Sequence, residues 1–205
     1  IKILDPACGS GAFLITAFEF LLKQTNMIDE KLLDLTGEQD LFSDTTRYIL
    51  ENNIFGVDLN RESVEITKLS LWLKSANKNK TLTTLENNIK CGNSLIKDKE
   101  FVKDLAFDWE KEFSEVFKNG GFDIVIGNPP YVRQESIKEI KPYLEQNYRV
   151  YTGVADLYCY FYELAVKMLK TGGVMGYITS NSWLNVDYGI NIRKLLNNYY
   201  IIEIE

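Results

Sequence analysis

The segment Asn128-Pro129-Pro130-Tyr131 combines residue types that leave hydrogen-bond acceptors without partners. Consecutive prolines carry no N–H and fix φ, so this stretch cannot pair as a central strand and is held stiff. The Pro129 carbonyl then lacks a ladder partner, beside an Asn128 side-chain amide that also accepts. Together they offer two acceptors to a donor such as an exocyclic –NH₂, and Tyr131 places an aromatic face next to them. The competing reading is a strand-ending turn with Tyr131 in the core. A second cluster, Asp5-Pro6-Ala7-Cys8-Gly9-Ser10-Gly11, contains two glycines that let the backbone approach a ligand. The helix after it points N–H groups at anionic atoms, although a tight strand-to-helix turn asks for the same residues. A dinucleotide fingerprint would want glycine at position 14, where Leu14 stands, and an acid roughly 20 residues on. Asp58 follows much later, which disfavours NAD and leaves room for a single nucleoside. Asp58 can accept two hydrogen bonds from ribose hydroxyls, or cap the helix beginning near Arg61.

Short β-rich runs alternating with helical periodicity position these clusters, the pattern of a mostly parallel sheet flanked by helices in a three-layer α/β domain. Strands are expected at Ile1 to Leu4, Ile54 to Val57, Ile89 to Cys91, Phe122 to Ile126 and Val174 to Thr179. Helices are expected at Ala12 to Lys23, Arg61 to Ala76, Leu157 to Leu169 (ended by Gly172-Gly173) and Tyr188 to Tyr199. A partly helical insert spans about 24–52, with Ser43 or Asp44 as candidate cap. Four polar or glycine-rich clusters then follow four strands: the glycine turn, Asp58-Leu59-Asn60, Gly92-Asn93-Ser94 and Gly127 to Tyr131. Ligands in open α/β sheets sit at the carboxyl ends of strands, so the four form one candidate pocket rim. Phe101, Phe107, Trp109, Phe113 and Phe117 form an apolar rhythm expected to pack in the core, with Trp72 and Trp183 also buried. Cys8 is expected to serve as a small residue inside the turn.

Composition narrows the chemistry. The chain has 205 residues, 45% of them hydrophobic and 25% charged, ordinary for a globular domain. Histidine is absent, which removes the commonest general base, the Ser/His and Cys/His pairs and every His-based metal site. A net charge of −6 gives no general attraction to nucleic acid. Between Tyr131 and Tyr151, Arg133, Lys138, Lys141 and Arg149 face Glu135, Glu139 and Glu145, a solvated loop more than a DNA-binding patch. Cys8, Cys91 and Cys159 lie far apart, as reduced thiols of a cytosolic protein do. No apolar run approaches ~20 residues, so no membrane partner is expected. The chain opens at Ile1-Lys2-Ile3-Leu4 and closes in Tyr200-Ile201-Ile202-Glu203-Ile204-Glu205; both runs are strand-like, and the chain reads as a piece of a longer polypeptide.

In their order, these residues resemble the gamma class of S-adenosylmethionine-dependent methyltransferases that act on adenine in DNA. The likeness is to the methyltransferase parts of type IIG restriction–modification enzymes and of type I modification subunits. Asp5 to Leu14 looks like the first motif of that class, Asp58 like its ribose-binding acid, and Asn128 to Tyr131 like its catalytic motif. Val132-Arg133-Gln134-Glu135, Phe107-Asp108-Trp109-Glu110, Asp156-Leu157-Tyr158 and Gly172 through Trp183 are similar to further segments. Asn93 stands where many relatives carry an aspartate. The resemblance implies a Rossmann-like methyltransferase core over residues 1–205, lacking its last strand, with S-adenosylmethionine as cofactor and a cytoplasmic location. It implies that Asp5, Pro6, Ala7, Gly9, Gly11, Asp58, Leu59, Asn93, Ser94 and Phe161 hold the cofactor, though Phe161 equally fits its helix's apolar stripe. Asn128, Pro129, Pro130 and Tyr131 would be catalytic. DNA would be reached through a recognition domain outside this chain, with a nuclease or specificity module as a further partner. Residues 132–152 are expected to form a mobile loop closing over an extruded adenine. The alternatives are methylation of RNA or of protein glutamine, or a cofactor-binding piece without activity of its own.

Overall fold

The computed structural model describes residues 1–36, 45–75 and 84–204. Five strands form one parallel sheet: β1 (Ile3–Asp5), β2 (Ile54–Asp58), β3 (Ile89–Cys91), β4 (Phe122–Gly127) and β5 (Leu169–Tyr177), in the order β3-β2-β1-β4-β5. The progression of strands runs one way from β1 to β3 and the other way from β4 to β5. Between β1 and β4 it therefore reverses, and a crevice opens at the carboxyl ends of such a pair. Register is set by Ile3 facing Ile54 on one side and Ile124 on the other, and by Leu4 facing Phe55 and Val125.

Alternation along the strands feeds two cores, one on each face of the sheet. Ile3 and Ile54 pack with Leu14, Phe18, Val64 and Leu71, which come from α1 (Ala12–Thr36) and α3 (Arg61–Ser75). Leu4, Phe55 and Val125 point the opposite way, into a larger core. There the connection after β3, with its short helical turns α4 (Lys99–Val102), α5 (Trp109–Glu112) and α6 (Ser114–Lys118), supplies the expected aromatics. Phe107, Trp109 and Phe113 are buried, and Phe101 and Phe117 pack partly buried against them. Phe113 is the hub, with ring centroids 5.6 Å from Phe55, 5.9 Å from Phe107, 5.8 Å from Trp109 and 5.9 Å from Phe122. Trp183 is buried and Trp72 half-buried.

Several expectations need correction. α1 continues to Thr36, because Gln24 to Thr36 contains neither glycine nor proline and keeps supplying helix formers. The insert is thus helical at its start and closes with α2 (Thr45–Asn52); the candidate caps Ser43 and Asp44 lie outside the described residues, as does Ala76. Gly172-Gly173 does not end α8 (Tyr158–Met168), which stops at an extended Leu169. The pair lies within β5, where pairing with β4 jumps from Phe122↔Leu169 to Ile124↔Val174. α8 is buried nearly all round rather than along one stripe, as a helix enclosed by a core should be. Its Glu163 is buried but paired, with Lys167 at 2.8 Å and the Val150 N–H at 3.0 Å. The last helix, α9, is shorter than expected (Ile190–Leu196), and residues 200–204 pair with no described strand and are exposed.

Residues 132–152 are not an open loop. They form a 3₁₀ segment (Gln134–Ile140) and α7 (Lys141–Asn147), and bury Ile137, Tyr143, Leu144, Tyr148 and Val150 in the larger core. The Tyr148 hydroxyl donates to the Leu95 carbonyl at 2.8 Å, and the Tyr143 hydroxyl accepts from the Lys97 N–H at 3.2 Å. Phe113→Ala should lower unfolding free energy by about 3–5 kcal/mol in urea denaturation, the range for deleting a buried aromatic; a loss below about 1 kcal/mol would show that the aromatic cluster is not cooperative.

Candidate functional site

The carboxyl end of β1 turns sharply through Pro6 to Gly11 before α1 begins. Gly9 (φ 52°) and Gly11 (φ 87°) adopt the left-handed conformation that favours glycine. A side chain on Gly11 would also meet Thr67, whose methyl lies 2.8 Å from the Cβ position. Thr67, fully buried on α3, donates its hydroxyl to the Gly9 carbonyl at 2.9 Å and so clamps the turn. Nothing in its sequence context marks Thr67 as a site residue: it reads as one polar position in an amphipathic helix.

Asp58, at the end of β2, braces the same turn. One carboxylate oxygen accepts the Gly9 N–H at 2.8 Å and the other the Asn60 N–H at 2.9 Å. It is not the helix cap. Asn60 performs that task, its Oδ1 accepting the Ser63 N–H at 3.0 Å. A carboxylate offers about four lone-pair sites, so both Asp58 oxygens retain acceptor capacity for ribose hydroxyls. The adjoining Leu59 is exposed, a free apolar surface at the rim.

After β3, Ser94 is buried and donates its hydroxyl to the Pro6 carbonyl at 2.6 Å, while its own carbonyl accepts the Trp109 indole N–H at 2.8 Å. Ser94 thus holds the first turn from behind. Asn93 is half-buried and uses its Oδ1 on the Leu95 N–H at 3.0 Å; its amide nitrogen has no partner among the described residues. Phe161 is almost wholly buried in the larger core.

β4 delivers the fourth cluster. Asn128 is exposed, Pro129 buried, Pro130 half-buried and Tyr131 54% exposed. Among the described residues neither the Asn128 side chain nor the Pro129 carbonyl makes a hydrogen bond, so both acceptors remain available. Tyr131 is fixed at both ends: its hydroxyl donates to the Ile178 carbonyl at 3.2 Å, and its ring leans on Tyr158 at 5.8 Å. The next residues are tied to the start of α8, the Val132 carbonyl accepting the Leu157 N–H at 2.9 Å and Asp156 Oδ1 the Gln134 N–H at 3.0 Å. Asp156-Leu157 is therefore an anchor for the strand-end loop.

Gly127 joins this cluster to the first. A Cβ there would sit 2.7 Å from Asp5 Oδ1, so the absence of a side chain lets β4 carry Asn128 past the β1 turn. Asp5 is fully buried; burial pushes its carboxyl up to about 7 and the Asp58 carboxylate adds to the rise, against the Ala7 N–H at 3.0 Å that favours its ionised form. Burial likewise pushes the Cys8 thiol well up, with Asp5 and Asp58 adding, which suits a small packing residue better than a nucleophile. No group of metal-ligating side chains occurs among the described residues. None of their helices is long and apolar enough to cross a membrane.

A family model described as Eco57I restriction-modification methylase matches residues 52–205. The chain belongs to this Eco57I methylase family. The matched part holds Asp58, the β3 cluster and Asn128 to Tyr131, while the first turn lies ahead of it. The type II restriction enzyme and methyltransferase RM.Eco57I of Escherichia coli is 31% identical over 98% of this chain, a match that includes the first turn, and over 22% of its own length. The type II methyltransferase M.BstVI of Geobacillus stearothermophilus is 29% identical over 97% of this chain and 32% of its own. This Eco57I-family chain thus spans between about a fifth and a third of those relatives. Among solved structures, a DrdV–DNA complex superposes with TM-score 0.62 at 19% identity, over 95% of this chain and 19% of that one. The EcoKI M protein gives 0.56 at 20%, over 95% and 33%. Both share the Rossmann-like methyltransferase fold of this family.

The buried Asp5 makes stability depend on pH with a definite sign. Its folded-state value lies above the ordinary 3.8, so the fold binds the proton more tightly than the unfolded chain. Stability from this residue is fully present below about pH 4 and is lost as pH rises to about 7. Asp5→Asn should therefore gain on the unmutated chain across that window and hold a constant advantage above it. Urea denaturation at pH 4, 5.5, 7 and 8.5 measures the difference, and an advantage that stays flat with pH would exclude the assignment.

Proposed function

We propose that this Eco57I-family chain is the methyl-transfer core of an enzyme that methylates the exocyclic amino group of adenine in DNA, with S-adenosylmethionine as donor, within a restriction–modification system. The observation that carries the reading is the pair of unpartnered acceptors, Asn128 and the Pro129 carbonyl, at a β4 end packed directly onto the glycine turn. The names of the relatives fit it: RM.Eco57I and M.BstVI are both called methyltransferases, and a Streptomyces coelicolor relative, 28% identical over 98% of this chain and 18% of its own length, is called adenine-specific methyltransferase PglX.

The residues around the β1 turn fit a nucleoside sulfonium donor. Gly9 and Gly11 expose backbone, Asp58 keeps acceptor capacity for ribose hydroxyls, Leu59 offers an apolar surface for a base, and Asn93 retains a free amide nitrogen. When bound, S-adenosylmethionine supplies the electrophilic methyl group. The chain's own residues have the harder part, because an adenine amine is a poor nucleophile whose lone pair is spread into the ring. Asn128 Oδ1 and the Pro129 carbonyl accept its two N–H bonds and favour a tetrahedral nitrogen with its lone pair localised. Proline rigidity holds both oxygens in place beforehand, so positioning and preorganised dipoles carry the rate and no strong base is needed. Tyr131, braced by Ile178 and Tyr158, presents its ring for the base to stack on.

Extruding a base costs a few kcal/mol, and one aromatic stack returns ~1–3 kcal/mol. The remainder and the attraction to phosphates must come from outside this chain, whose net charge is −6.

Incubating the parent enzyme that carries this chain with methyl-labelled S-adenosylmethionine and DNA, RNA or bulk protein should place label on the adenine amino group of DNA; label found only in RNA or protein would overturn the reading. Asn128→Ala should lower turnover on the order of 100-fold or more while cofactor affinity in calorimetry stays unchanged. Asp58→Ala should do the reverse first, weakening cofactor binding about tenfold or more through lost charge-assisted hydrogen bonds; unaltered affinity would move the ribose site elsewhere.

A further inference from the structure

An aspartate just ahead of a helix usually spends its carboxylate on the helix's own free N–H groups. Two do so in this chain: Asp98 accepts the Glu100 N–H at 2.9 Å at the start of α4, and Asp108 the Lys111 N–H at 3.3 Å at the start of α5. Asp156 stands two residues before α8 and behaves differently. Its Oδ1 accepts the N–H of Gln134, 22 residues earlier in the chain, at 3.0 Å, and α8 begins without a side-chain cap. The stabilisation that a cap gives is forgone, and the carboxylate is spent on the segment that follows Asn128 to Tyr131.

Contacts between that segment and the start of α8 step in opposite directions along the two stretches. The Tyr131 ring leans on Tyr158 at 5.8 Å, the Val132 carbonyl accepts the Leu157 N–H at 2.9 Å, and the Gln134 N–H reaches Asp156. Two antiparallel stretches would ordinarily exchange a second backbone bond at such a pair, from the Val132 N–H to the Leu157 carbonyl. That carbonyl is already turned into α8, where it accepts the Tyr160 N–H at 3.2 Å. The Asp156 carboxylate supplies the second bond instead. Lys141 joins the same two stretches again, through Gln134 Oε1 and through the Gly153 carbonyl, the latter at 2.7 Å.

We propose that Asp156 is a positioning residue of this site: its bond to the Gln134 N–H closes a clasp that sets where Asn128 Oδ1 and the Pro129 carbonyl point. The functional meaning rests on the methyltransferase reading, whereas the clasp does not. Upstream, the Gly127 carbonyl is fixed by the Ile178 N–H at 3.0 Å. Between that point and Val132 lie four residues, two of them prolines. Proline holds φ fixed, so little freedom is left once Val132 to Gln134 are held. Asp156 acts through Val132 and Tyr131, and what it contributes is an acceptor oxygen, not its charge.

The bond itself is read by amide hydrogen exchange of this chain, followed by NMR without cofactor or DNA. Asp156→Ala should speed exchange at Gln134 about tenfold or more, and Asp156→Asn, whose Oδ1 still accepts, should not. The role is read in the parent enzyme that carries this chain. Asp156→Ala should lower kcat about tenfold or more with cofactor affinity in calorimetry unchanged, and Asp156→Asn should recover most of the loss. Gln134→Pro removes the same bond from its donor side. Gln134 is the first residue of the 3₁₀ segment and follows an extended Arg133 (φ −66°, ψ 147°), a place where proline fits. With Gln134→Ala, which keeps the N–H, as its baseline, Gln134→Pro should lower kcat likewise. Joined to Asp156→Ala it should cost no more than either change alone. An Asp156 that merely steadied α8 would leave Gln134→Pro harmless or make the two losses add. Full turnover in Asp156→Ala, no recovery in Asp156→Asn, additive losses, or unchanged exchange at Gln134 overturns the proposal. An unmutated parent enzyme that transfers no methyl group to DNA overturns the methyltransferase reading instead, and the exchange experiment still decides the clasp.

Discussion

The close approach of Gly127 to the Asp5 carboxyl is the contact on which the site depends. The sheet reverses its progression between β1 and β4, so the loops leaving these two strands are the only ones in the described sheet that diverge from a shared crevice. A side chain at position 127 would have to displace the Asp5 carboxyl, which already fills that volume. Each wall is then stiffened separately. Thr67, Asp58 and Ser94, from three different elements, hydrogen-bond to the backbone of Pro6 to Gly9. The other wall is tied to Ile178 and to the first turn of α8 through Tyr131, Val132 and Gln134.

Burying Asp5 at the junction has an energetic cost that the fold accepts. A carboxyl held near neutrality in its titration is one whose charged form is poorly solvated, and a neighbouring Asp58 makes this worse. Replacing it with an apolar residue of the same size would remove that penalty and also the acceptor that orders the Ala7 N–H. Sites that keep such groups tend to use them.

Much of this was legible in the sequence, for identifiable reasons. Buried parallel strands carry short β-branched runs, so Ile54 to Val57 and Phe122 to Ile126 declare themselves, and the residues after them fall at strand ends by necessity. The double proline marks Asn128 to Tyr131 as unpaired backbone whatever the surroundings. What stayed hidden was set by partners distant along the chain. Thr67 reads as a helix surface residue until α3 is seen to lie on the glycine turn. Asp58 and Asn60 offer equivalent capping chemistry, and only the position of Gly9 decides which of them caps. Gly172-Gly173 looks like a helix stop because glycine usually is one there; that it instead absorbs a register jump depends on β4. The balanced charges of residues 132–152 suggest a solvated loop, but Ile137, Tyr143, Leu144, Tyr148 and Val150 are spaced to reach a core that the local pattern does not reveal.

That packed segment bears on how the acceptors work. Under the proposed reading, if residues after Tyr131 moved freely, Asn128 and the Pro129 carbonyl would have to be ordered anew each time a donor arrived, and part of their electrostatic advantage would be lost to reorganisation. The Asp156 carboxylate and the Val132 carbonyl instead fasten the loop to α8, a helix enclosed on nearly every side. Tyr148 and Tyr143 fasten the far end of the segment to the connection after β3, which also carries Ser94 and hence the first turn. The two walls of the crevice are thus linked a second time, through the core and away from the Gly127 contact. Under the proposed reading the two acceptors serve as fixed dipoles, and fixed dipoles act only as well as they are held.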